Sequence, residues 1–185
     1  MGGVRSAAIG AVAALGVYES TLALARFRRR RLVYRAAQER ARRLNRPVVV
    51  VGDPDAGMHT RMARAYPCGD VCVDLSGCPQ CPISIPANIE QTIPLIEDDS
   101  VVVFVSCVFE YVDDVEAAIA ELMRIAGAPA NLFSVVVDPL CLTSLMYPGA
   151  KWRAMPGGTW RPVTWTQKLT VALALGATAF LAARR

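Results

Sequence analysis

The sequence predicts an α/β protein: a small, truncated Rossmann-like parallel sheet with an apolar helix at each end. Three observations predict it. Short valine-rich runs at residues 48–51, 71–75, 101–105 and 132–137 read as strands buried on both faces. Helical patterns lie between them, and strands alternating with helices give parallel sheets with right-handed crossovers. Apolar runs at residues 7–25 and 169–183 stand outside this alternation.

The first run, about 20 residues, is long enough to cross a bilayer. It is interrupted by Tyr18, Glu19, Ser20 and Thr21. A carboxylate in hydrocarbon costs a few kcal/mol, so Glu19 is expected near the interface. A secretory leader is disfavoured, because only Arg5 precedes the run and a dense arginine block follows it. The second run spans only if Trp165, Thr166 and Gln167 lie at headgroup level, where tryptophan is favoured. The competing reading makes both runs buried or interfacial helices.

Residues 26–46 hold ten arginines and one acid, Glu39. Val33, Ala37, Ala41 and Leu44 recur there at helical spacing. Two readings of this basic helix stay open: a solvated face, or contact with anionic lipid or another polyanion. Its place beside a span favours lipid, and the positive-inside rule puts it on the cytoplasmic side. Residues 53–138 carry fourteen acids against Arg61, Arg64 and Arg124. The central domain is thus a poor binder of nucleic acid.

The valine run 48–51 enters the turn Gly52-Asp53-Pro54-Asp55 and a short helix at 58–65. Residues 76–94, rich in Pro, Gly and Cys, read as loop with no clear third strand. A helix over 113–125 is expected to start at Asp113-Asp114 and stop at Gly127. Residues 147–165 read as an irregular arm whose tryptophans, Lys151, Arg153 and Arg161 suit a membrane interface, a partner surface or a lid.

Cys68, Cys72, Cys78 and Cys81 offer a candidate four-thiolate zinc site. The alternative is free thiols in a loop, and a reducing compartment disfavours a Cys78–Cys81 disulfide. His59, the lone histidine, reads as an exposed helix residue before it reads as a base. Asp53 and Asp55 read first as helix caps. A cation site with Asp74 is the competitor.

Residues 47–140 resemble a class I S-adenosylmethionine-dependent methyltransferase of the small-molecule branch. Residues 48–57 look like its first strand and cofactor loop, and Val71-Cys72-Val73-Asp74 like the second strand with the acid that holds ribose hydroxyls. Residues 98–124, with Phe109-Glu110-Tyr111-Val112 where the family has Leu-Glu-His-Val, look like its fourth strand and following helix. The resemblance implies cofactor contacts at Gly52, Asp53, Asp55, Gly57, Asp74 and Ser106. The loop departs from the family. Asp53 and Asp55 stand where glycines let the backbone approach the cofactor, and Val51 where an acid stands. Like charge there repels the methionine carboxylate. Nothing after Val137 looks like the family's closing hairpin.

The expected organisation is a membrane helix (1–25), a basic juxtamembrane helix (26–46), the methyltransferase-like domain (47–140), an arm (141–165) and a second membrane helix (166–185). The expected function is a membrane-anchored, non-catalytic module that holds a protein partner or organises an assembly, a membrane-containing virus particle being one setting. The alternative is an active S-adenosylmethionine-dependent enzyme acting on a small molecule or lipid.

Overall fold

The computed structural model describes residues 2–55, 64–138, 141, 149–155 and 157–183. Two compact units are present: 27–136, and a second made of 1–26 with 137–185. The first helix, α1 (Gly2–Leu44), contributes to both.

The first unit holds five strands: β1 (Val48–Val51), β2 (Val71–Asp74), β3 (Ser84–Pro86), β4 (Val102–Ser106) and β5 (Leu132–Val135). All pairings are parallel, in the order β3-β2-β1-β4-β5. The order reverses at β1, so the crevice beyond the carboxyl ends of β1 and β4 is the topological switch point where such sheets take ligands. The α/β expectation holds, and four strands fall where the valine runs placed them. The segment after Leu75 is not only loop, since it contributes β3. That strand is three residues long and ends in proline, which an edge position tolerates because no ladder donor is needed there.

Side chains alternate across a strand. Val48, Val50, Val102, Phe104, Cys72 and Val135 point to one face, where Tyr34, Ala37 and Ala41 of α1 cover them. The small alanines let the α1 backbone approach the sheet. Tyr34 and Tyr66 pack edge-on to Phe104, with centroids 5.3 and 4.8 Å away. Burying a phenylalanine such as Phe104 contributes about 1.5–3 kcal/mol. The apolar stripe read at residues 33–44 thus faces protein. Arg40 on the same helix donates from Nε to Asn131 Oδ1 at 2.9 Å, and Asn131 is buried. The helix ends in a Schellman arrangement. Asn45 takes φ +53, its N–H donates to Arg42 O, and the Arg46 N–H donates to Ala41 O.

Val49, Val51, Val103 and Val105 lie on the opposite face, fully buried. Helix α2 (Val115–Ala126) packs against β4 and β5 there, burying Val115, Ala118, Leu122 and Ile125. As expected, Asp114 caps it by accepting from Ala117 N–H, and Gly127 at φ +69 ends it. A side chain at Gly127 would run into the Asp99 carboxylate. Glu121 and Arg124 bind the incoming segment. Glu121 accepts the Ile93 N–H at 2.7 Å and two bonds from Arg124, which also holds Asp98 and the Ile96 carbonyl. Burial pushes the Glu121 carboxyl up, but Arg124 and the Ile93 N–H outweigh it and hold it below the ordinary range.

In the second unit, α1 is exposed along its apolar N-terminal part, with Ile9, Val12, Val17 and Leu24 uncovered. Among the described residues it is one helix long and apolar enough, by length and composition, to cross a membrane. Glu19 accepts a hydrogen bond from the buried Cys141 thiol at 3.2 Å. The last helix, α3 (Trp165–Ala183), opens with a capping box. Gln167 N–H donates to Thr164 Oγ1, and Thr164 N–H to Gln167 Oε1. The described part of the arm is not irregular. Strands β6 (Trp152–Ala154) and β7 (Trp160–Pro162) form an antiparallel hairpin. Proline and glycine content misled the reading, because Gly157 and Gly158, at φ +90 and +80, serve its turn.

Candidate functional site at the switch point

Strand β1 delivers Gly52 to the crevice at φ +93, a conformation that favours glycine. A Cβ on Gly52 would lie 2.7 Å from Val108 Cγ2 and 3.6 Å from the Ser106 carbonyl oxygen. The glycine therefore makes room for the β4 loop, and a protein methyl group fills the space beside it.

The predicted acids are brought together and used locally. Each oxygen of the Asp74 carboxylate accepts a backbone N–H, from Asp53 at 3.1 Å and from Ser76 at 2.9 Å. Asp53 Oδ1 accepts the Asp55 N–H at 2.9 Å, closing a turn. Asp55 accepts from Nε and Nη2 along one edge of the Arg64 guanidinium. Ser106 ends β4, buried. Gly57, His59 and all but the end of the helix expected at 58–65 lie outside the described residues.

Sequence reasoning missed three residues. Cys107 follows β4 at φ +55, in the left-handed region, with its N–H donating to Val135 O at 2.7 Å. Arg30 of α1 reaches this end of the sheet and hydrogen-bonds the Cys107 sulfur, near Tyr66 and Glu110. Val108 closes against Gly52. One signal existed: Arg30, Tyr34, Ala37 and Ala41 share one helical face, which marks Arg30 as core-directed. Nothing in sequence flags a left-handed cysteine. Burial pushes the Tyr66 phenol up, against the opposing pull of the Ser106 hydroxyl and of Arg30.

The four cysteines also converge. Cys68 precedes β2, Cys72 lies on it, and Cys78 and Cys81 follow it. They form two disulfides, Cys68–Cys81 and Cys72–Cys78. The expectation of reduced thiols here is corrected: the β2–β3 turn folds Cys78 and Cys81 back onto the strand. The sulfurs of Cys72, Cys78 and Cys81 lie within 4.8 Å of one another, a cluster that can hold a metal. A disulfide sulfur is no thiolate ligand, so metal binding requires reduction first.

No family model, curated protein or solved structure matches this chain. The methyltransferase resemblance therefore rests on the sequence stretches quoted above.

Proposed function

We propose that this chain is a membrane-tethered, methyltransferase-like module without methyltransferase activity, which holds a protein partner or organises an assembly at a membrane. The observation that carries it is Val108 against Gly52. Where a cofactor-binding fold keeps open space beside a loop glycine, a valine methyl group occupies it here. The Asp74 carboxylate, which the resemblance assigns to ribose, is already bonded to the β1 turn and to its own turn. Tethering is supported by the exposed apolar length of α1 ahead of its arginine block. The apolar helix α3 serves as the second anchor. A membrane-containing virus particle is one setting. In a reducing compartment, the four cysteines hold zinc in place of the two disulfides.

The active-enzyme reading draws on the quoted sequence stretches and on the strand order. Titrating S-adenosylmethionine calorimetrically into the full chain in lipid nanodiscs separates the two. The module reading predicts no binding heat from a sample shown to be folded. Micromolar binding, about −8 kcal/mol, overturns it in favour of the enzyme.

A further inference from the structure

The cysteine cluster fastens an unusually short connection. Strands β2 and β3 are parallel neighbours, yet only residues 75–83 join them. A parallel crossover ordinarily takes about a dozen residues or more, with a helix that buries one face. This one carries no helix and almost no core. Its two large apolar residues, Leu75 and Ile83, are 73% and 55% exposed, and Cys78 alone among residues 75–83 is buried. Strand β3 adds little of its own, since Ser84 and Pro86 are exposed. Sulfur crosslinks therefore supply the anchoring that apolar packing does not. Cys78 is tied to Cys72 on β2, and Cys81 to Cys68 ahead of it.

The same four sulfurs suit one metal ion. The sulfurs of Cys72, Cys78 and Cys81 lie within 4.8 Å of one another, and Cys68 is bonded to Cys81. A tetrahedral four-thiolate zinc centre, with Zn–S about 2.3 Å, spaces its sulfurs about 3.8 Å apart. The disulfides thus already gather the ligand set. The two arrangements exclude each other, because a sulfur in a disulfide is not a thiolate ligand. Either one crosslinks the crossover to β2 through the same residues. Thiols without a metal crosslink nothing.

We propose that Cys68, Cys72, Cys78 and Cys81 are a zinc site that hydroperoxides convert into the two disulfides, and that the crossover opens only when the cysteines are reduced and metal-free. The proposal rests on zinc binding by the reduced chain. Cys81 is the most exposed of the four, so oxidation starts there. Its thiolate attacks one peroxide oxygen, the O–O bond breaks, and hydroxide leaves. The Cys68 thiolate then attacks the sulfenic sulfur, the S–S bond forms, and a second hydroxide leaves. With only two thiolates left, the site releases its zinc ion. A second peroxide joins Cys78 to Cys72 in the same way. Sulfur loses two electrons for each disulfide formed, and each peroxide gains two. The crossover stays fastened while a metal crosslink is exchanged for covalent ones.

The test uses the full chain in lipid nanodiscs, reduced, desalted without oxygen and loaded with zinc. Hydrogen peroxide is added, released zinc is read with a chromogenic chelator, and the disulfides are mapped by peptide. The expected result is release of about one zinc ion per chain, with Cys68–Cys81 and Cys72–Cys78 formed. Amide exchange is then compared in the disulfide, zinc-bound and reduced metal-free states. The reporters are Gly77, Cys78, Cys81 and Ala87, whose N–H groups are hydrogen-bonded. Their exchange should be alike in the first two states and about tenfold faster or more in the third. No zinc uptake by the reduced chain overturns both zinc binding and the proposal. Zinc uptake without release by peroxide, release with other pairings, or a crossover equally protected without metal overturns the interchange and leaves zinc binding standing.

Discussion

Replacing Arg40 by alanine separates the two readings of the arginine-rich helix. Asn131 is 3% exposed, and its Oδ1 accepts from Arg40 Nε at 2.9 Å while its amide donates to the Ala126 carbonyl at 2.8 Å. Removing Arg40 leaves a buried carbonyl oxygen without its charged donor, a loss of about 1–3 kcal/mol. For a unit the size of residues 27–136, about 2 kcal/mol corresponds to a Tm lower by roughly 8 °C. Arg43, three residues on, is exposed and holds Glu39 only at 3.9 Å. Its replacement should move stability by less than about 0.5 kcal/mol. Near-ultraviolet circular dichroism melts in nanodiscs measure both. Asn131→Ala completes a double-mutant cycle whose coupling should be about 1 kcal/mol or more. Equal Tm shifts for Arg40→Ala and Arg43→Ala would refute the reasoning and return the helix to a lipid-facing role alone.

Glu121 makes stability fall in acid. Its folded-state pKa lies below the ordinary 4.5, so its contribution is complete above that value and is lost as pH falls through the folded pKa. Denaturant melts between about pH 6 and pH 3 should show the decline, and Glu121→Gln should flatten it; an unchanged slope contradicts the assignment. Reduction of both disulfides should let the chain take up one zinc ion through Cys68, Cys72, Cys78 and Cys81. Cys72→Ser should abolish tight uptake, read by metal analysis after desalting, and no uptake by the reduced wild type rejects the site.

The parts of the fold legible in the sequence were those whose residues have one use. Four consecutive valines at 48–51, or Val101 to Val105, suit a strand covered on both faces and little else. The cap at Asp114 and stop at Gly127 were legible because carboxylates accept N–H groups and glycine tolerates positive φ. Strand β3 was not, because its identity comes from pairing Cys72, Val73 and Asp74 with Ser84, Ile85 and Pro86 rather than from its own composition. The site was half legible. Asp53, Asp55 and Asp74 do converge, but which carboxylate oxygen accepts which N–H is decided by turn geometry. The disulfide pairing likewise depends on how the β2–β3 turn folds back. Arg30 was hidden in a run of arginines whose fates differ by helical phase.

The most direct test of the closed crevice is amide hydrogen exchange on the full chain in nanodiscs, with and without saturating S-adenosylmethionine. The account predicts unchanged exchange at Gly52, Asp53 and residues 106–110. Slowing of those amides by about tenfold, equivalent to about 1.4 kcal/mol of added protection, would place the cofactor in the crevice and contradict the account.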